Sequence, residues 1–229
     1  MRFASLGSGS EGNGLVVEAG ASRLLLDCGF PPREAMRRLA RIGVNPADLA
    51  GILVTHEHSD HIGGVFSFAL RFGLPVWITH GTFAAMREEA PDAGASVDVT
   101  LIRGEAQFAV RDLQVFPFTV PHDAREPVQY VVSDGTRRLG VLTDTGCSTA
   151  HVEGMLSGCE ALVLEANHDL DMLRRGDYPP ALQARITQEI FEPVLEPHAQ
   201  RVIGGREVDR IDHGRIPTIA VQIIELERD

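Results

Sequence analysis

Thr55-His56-Glu57-His58-Ser59-Asp60-His61-Ile62-Gly63-Gly64, arriving directly after Gly51-Ile52-Leu53-Val54, constrains this chain more than any other segment. A short apolar run of this kind is a strand buried on both faces, so it belongs inside a covered sheet. The loop that leaves it is dense in imidazoles and carboxylates. Side chains of an extended stretch alternate with period two, so His56 and His58 face one point. Asp60 and His61 come where the chain turns into a helix from about Ile62 to Phe72, and they face a second point. Neutral imidazoles and carboxylates are ligands for divalent cations. Paired cations in hydrolytic sites lie about 3.5–4 Å apart, so one such loop can serve two of them. Gly63 and Gly64 let the backbone bend sharply there.

Around this segment the pattern alternates between strands and helices. Short strands are expected at 2–6, 14–18 and 23–27, separated by glycine- and serine-rich turns. Pro31-Pro32-Arg33-Glu34 opens a helix to about Gly43, with Ala35, Leu39 and Ile42 on one face. Val76-Trp77-Ile78 reads as a buried strand and 80–90 as a helix. Strands then follow in series at 97–102, 107–110, 113–119, 128–133 and 138–143, with turn signals such as Asp134-Gly135 between them. One more strand is expected at 159–164, helical material from 168 to about 195, and a strand at 216–225. Strands with interspersed helices, repeated twice, predict two sheets packed face to face with helices outside. No linker or repeat interrupts the 229 residues, which are read as one domain, 1–229, with an atypical segment after about residue 186 where isoleucine becomes frequent.

Composition narrows the class. No apolar run is long enough to span a bilayer, and the N-terminus has no signal-peptide core, so a cytoplasmic protein is expected. Cys28, Cys147 and Cys159 are too few and too scattered for a disulfide framework or a cysteine metal knuckle. The formal charge is −11, and every basic residue is arginine. That balance disfavours an extended basic groove but not phosphate chemistry, because two divalent ions would bring their own charge.

His-x-His-x-Asp-His between a strand and Gly-Gly resembles the signature of the metallo-β-lactamase superfamily, whose fold is an α/β, αββα four-layer sandwich with metals at one edge of the sheets. Leu25-Leu26-Asp27-Cys28-Gly29 resembles that family's Asp-x-Gly, a structural carboxylate near the metal loop. His122 in Val120-Pro121-His122-Asp123 resembles the third histidine of the first metal site. Asp144 in Leu142-Thr143-Asp144-Thr145-Gly146 resembles the bridging carboxylate. Gly7-Ser8-Gly9-Ser10-Glu11-Gly12-Asn13, the stretch His122 to Val128, and Glu165-Ala166-Asn167-His168-Asp169 narrow the resemblance to the WalJ (YycJ-like) branch, related to RNase J- and RNase Z-type nucleases. The match covers about residues 1–186.

The resemblance implies a metal ligand set of His56, His58, Asp60, His61, His122 and Asp144, holding two divalent ions. Zn is expected, with Mn or Fe as alternatives. It implies metal-assisted hydrolysis, in which a metal-activated hydroxide attacks a scissile phosphorus. Asp60 would orient or deprotonate the nucleophile, and His168 would donate to the leaving group or touch substrate. The expected substrate is DNA and the expected activity an exonuclease. A small-molecule hydrolase cleaving a thioester, lactone or cyclic phosphodiester is the alternative, and a metal-binding protein with a degraded second site is a third. The family's later Gly-His-Leu and Ala-His-Leu motifs do not occur here. His213 or His198 is left to complete the second site, or water in their place.

Overall fold

The computed structural model describes residues 1–166, 201–202 and 220–225. Strands β1 (Arg2–Gly7), β2 (Gly14–Ala19), β3 (Ser22–Leu26), β4 (Gly51–Leu53), β5 (Val76–Thr79) and β6 (Val99–Ile102) lie side by side in chain order in one sheet. The first three pair as antiparallel hairpins, and β3 to β6 run parallel. The second sheet holds β7 (Phe108–Val110), β8 (Leu113–Thr119), β9 (Val128–Ser133), β10 (Arg138–Leu142), β11 (Ala161–Ala166), β12 (Arg201–Val202) and β13 (Ala220–Glu225). Its spatial order is β12-β13-β11-β10-β9-β8-β7, antiparallel except where β11 joins β10. Helices α1 (Pro32–Arg41), α2 (Ser59–Ile62), α3 (Val65–Phe72), α4 (His80–Glu89) and α5 (Ala150–Leu156) complete the described residues.

Strand alternation sorts the apolar side chains into layers. Leu15 and Val17 of β2 and Leu24 and Leu26 of β3 enter the same cluster as Val115, Val128, Tyr130, Val132 and Leu139 of the opposite sheet. Their neighbours Val16 and Leu25 point the other way, against Ala35 and Leu39 of α1 and Val65 and Phe68 of α3. On the far side, Val131 and Leu142 meet Val152 of α5. The result is helix, sheet, sheet, helix: the αββα sandwich. Leu24 and Leu39 are fully buried. Each such side chain stabilises the fold by about 1.5–3 kcal/mol relative to exposure.

Local chemistry moves some boundaries from the sequence expectation. The helix expected from Ile62 begins earlier, as α2 at Ser59, and a break at Gly63 and Gly64 separates it from α3. Helix α5 and a 3-10 turn at Pro46–Asp48 carry no apolar period, because α5 buries only Val152 and the turn buries nothing. Their signal is capping instead: Thr149 Oγ1 accepts from the Val152 amide, and Asn45 Oδ1 from that of Ala47. The helical material expected at 168–195 and residues 216–219 of the last expected strand lie outside the described residues, while 220–225 forms β13.

Strands β8 and β10 run the same way, since each is antiparallel to β9, and β3 and β4 are parallel. Their C-terminal ends release Asp27, the loop at 54–58, His122 and Asp144 at one edge of the sandwich. Two glycines let these loops pack backbone to backbone. A Cβ on Gly29 would stand 1.8 Å from the Asp60 carbonyl oxygen, and one on Gly64 would stand 1.9 Å from that of Phe30.

Candidate metal centre

One buried carboxylate organises the site. Asp27 leaves β3 in the left-handed region, at φ 56. It accepts hydrogen bonds from the Thr55 amide, the Thr55 hydroxyl and His61 Nδ1, each at 2.8 Å. An ionised carboxylate only accepts, so the Thr55 hydroxyl spends its proton on Asp27 and must itself accept from His56 Nδ1, 2.9 Å away. The proton of His56 is thereby fixed on Nδ1 and that of His61 on Nδ1 as well. Both rings turn Nε2 away from Asp27 and into the site. Such outer hydrogen bonds are what fix tautomer and ring direction in metal-ligating histidines. Upstream of Thr55, the buried Tyr130 hydroxyl donates to the Val54 carbonyl at 2.6 Å and ties the start of the loop to the second sheet.

The side chains converge in two groups. Ligand atoms of His56, His58 and His122 lie within 4.8 Å of one another, as do those of His56, His61 and Asp144. His122 Nε2 and His58 Nδ1 are 3.2 Å apart. His56 Nε2 is buried and has no hydrogen-bond partner among the described residues. Burial, together with the neighbouring histidines, lowers the His56 pKa to about 2, so the ring is neutral. In the second group, His61 Nε2 and Asp144 Oδ2 stand 2.9 Å apart. Two acceptors at that distance need a proton or a cation between them. Burial opposes charge on His61, but Asp27 and Asp144 outweigh it and raise its pKa. Burial likewise works to raise Asp144, and His61 outweighs it, holding that carboxyl below the ordinary range. Asp144 also has positive φ, 47, on a non-glycine residue; such conformations persist where surrounding contacts hold them. Gln129, fully buried on β9, braces this bend by donating to the Thr143 carbonyl at 2.5 Å.

An all-imidazole triad beside a mixed imidazole and carboxylate group suits divalent cations. The unpartnered, buried His56 Nε2 is the kind of atom that a cation would satisfy.

Of the residues expected from sequence, the structure brings His56, His58, His61, His122 and Asp144 together. Asp60 stands at the border of the second group, with Oδ2 3.7 Å from His61 Nε2. His168, His198 and His213 lie outside the described residues. Three partners carried no ligand signal in the sequence: Thr55, Asn13 and Asp123. Asn13 Nδ2 donates to Asp60 Oδ2 at 3.0 Å. Asp123 offers its carbonyl to His58 Nε2 at 3.3 Å, and its carboxylate lies 3.4 Å from His122 Nδ1. Adjacency was the available clue, since Thr55 precedes His56 and Asp123 follows His122. The loop after His122 is seated by its neighbours: the Arg125 amide donates to Glu57 Oε1, and the Glu126 carbonyl accepts from Thr79 Oγ1 at 2.9 Å.

A sequence profile described as the beta-lactamase superfamily domain matches residues 22–195. The chain is 37% identical over 192 residues to the exodeoxyribonuclease YycJ of Bacillus anthracis, covering 83% of this chain and 72% of that one. It is 32% identical over 204 residues to the exodeoxyribonuclease WalJ of Streptococcus pneumoniae, covering 88% and 76%. The crystal structure of Zn(2+)-bound PqqB from Methylobacterium extorquens superposes with a TM-score of 0.61 at 20% identity over 76% of each chain, a likeness of fold.

Proposed function

Because the chain belongs to the beta-lactamase superfamily, we propose that it is a metal-dependent exonuclease that hydrolyses phosphodiester bonds of DNA. The observation that carries this reading is the convergence of His56, His58 and His122 beside His56, His61 and Asp144. His56, His58 and His122 would hold one divalent cation. His61, Asp144 and Asp60 would hold the other, with zinc favoured over manganese or iron by the nitrogen-rich set. Once bound, such cations lower the pKa of water towards neutrality and offset charge on phosphoryl oxygens.

The chain's own residues do the rest. Asp27 and Thr55 aim the Nε2 atoms of His61 and His56 at the two cation positions. Asp60, at the border of the second group, is the base that would take a proton from the attacking water. The loop 121–127 forms one wall, its position set by Glu57, Thr79 and Thr82. His168 is the proposed donor to the leaving oxygen. Homology to exodeoxyribonucleases over most of both chains supports DNA as substrate. No helix among the described residues is long and apolar enough to cross a membrane, and we place the protein in the cytoplasm.

The test is degradation of end-labelled DNA by the purified protein loaded with zinc or manganese, beside His58→Ala. Progressive loss of label from one end, absent in the variant, is the expected outcome. Cleavage of bis(p-nitrophenyl) phosphate without any action on DNA would instead make it a small-molecule phosphodiesterase.

A further inference from the structure

The glycine- and serine-rich segment at 7–13 joins β1 to β2, and it ends on Asn13 at the second ligand group. Its backbone is docked on both sides: the Asn13 amide donates to the Asp60 carbonyl at 2.7 Å, and the Asn13 carbonyl accepts from the Gly29 amide at 2.9 Å. The side chain is oriented independently of those bonds. Asn13 Oδ1 accepts from the Gly9 amide at 3.0 Å, which fixes the sense of the carboxamide and turns Nδ2 inward. There Nδ2 meets Asp60 Oδ2 at 3.0 Å and His61 Nε2 at 2.9 Å. His61 Nδ1 is already committed to Asp27, so Nε2 is the ring atom left facing the site, 2.9 Å from Nδ2. Gly9 and Gly12 take φ 137 and 145, and a Cβ on Gly12 would strike the Phe30 ring at 2.6 Å. The loop therefore reaches this position only with glycines at those turns.

We infer that Asn13 is a positioning residue: its carboxamide donates to Asp60 Oδ2 and sets that carboxylate beside His61 for the second cation. This rests on the functional reading above. A neutral double donor suits the place. It holds the Asp60 carboxylate in one rotamer and adds no charge beside it. Because the backbone bonds fasten the loop whatever the side chain, Asn13→Ala removes the positioning and leaves the loop docked. Asn13→Asp keeps the shape but replaces the donor with an acceptor against Asp60.

The experiment measures cations per chain by elemental analysis at buffered free zinc, the visible spectrum of the cobalt(II)-loaded protein, the melting midpoint in chelator, and kcat and KM. Glu11→Ala, an exposed change in the same loop, is the control. Wild type and Glu11→Ala are expected to hold two cations. Asn13→Ala is expected to keep the first and bind the second about 10–100-fold more weakly, the usual cost of losing an outer partner. In that variant the cobalt spectrum changes, kcat falls while KM holds, and the chelator melt is unmoved. Asn13→Asp follows it or is worse. Two cations at wild-type affinity in Asn13→Ala would overturn the inference. So would loss of both cations together with a lower melt, since that is the signature of a loop brace. Wild type that binds no cation would overturn the functional reading itself, a distinct result.

Discussion

Asp27→Asn is the substitution that most directly tests how the site is organised. Asparagine tolerates the left-handed backbone that Asp27 adopts, so the main chain is unchanged. Its carboxamide oxygen can still accept from the Thr55 amide. Its NH2 then stands where Oδ2 accepted both the Thr55 hydroxyl and His61 Nδ1. A donor now faces two donors. The Thr55 hydroxyl turns round, accepts from the new NH2 and gives its proton to His56 Nδ1. His61 also moves its proton to Nε2. Both rings then carry N–H at the atom that should ligate. Each misdirected ligand costs about 10–100-fold in cation affinity, or about 1.4–2.7 kcal/mol. His56 would serve the first cation and His61 the second, so both cations weaken. Thr55→Val interrupts only the path to His56 and leaves the His61 bond to Asp27, so its loss falls at the lower end of that range. Competition against a chromophoric chelator reads the affinities, and 15N shifts of the histidine rings read the tautomers. Unchanged tautomers with undiminished affinity in Asp27→Asn would refute the reasoning.

Three further outcomes follow from the same geometry. Saturating zinc should raise the unfolding free energy by about 2.7 kcal/mol per site at a hundredfold excess over Kd, and a chelator should reverse it; a melt indifferent to zinc contradicts the ligand set. His61 has a raised pKa in the metal-free protein, so the stability its ion pairs contribute is full below the ordinary histidine value near ~6.5 and is lost as pH climbs through the raised value. A cation must displace that proton, so affinity rises with pH and calorimetry in two buffers should show release of about one proton; no dependence on buffer would count against it. Tyr130→Phe leaves the Val54 carbonyl without its donor and should lower stability by about 1–3 kcal/mol in urea titrations, with unchanged zinc content once folded.

The sequence was most legible where chemistry is dense in one stretch. His56, His58 and His61 could be read as candidate ligands because strand alternation and a following bend are local properties. The two-sheet sandwich was legible from the order of strands and helices, whereas Leu15, Val16 and Val17 are apolar in succession and only the structure sorts them into layers. His122 and Asp144 needed the family resemblance, because nothing near them in the chain shows that β8 and β10 end at the same edge as β4. Thr55 and Asn13 were beyond reach by pattern. A hydroxyl and a carboxamide carry no ligand signature, and their roles arise only when Asp27 and Asp60 are brought within hydrogen-bond distance. Helix α5 escaped because a single buried valine sets no period.

The ligand groups straddle the seam of the sandwich: three histidines hang from the sheet of β4, while His122 and Asp144 hang from the sheet of β10. Relative sliding of the two sheets by even an ångström would therefore pull the centre apart before it disturbed any strand pairing. The interleaved side chains along that seam, Leu24 and Leu139 among them, act as the alignment dowels of a two-part mould. Shaving one of these distant side chains should misregister the chemistry at a point where the protein is still comfortably folded.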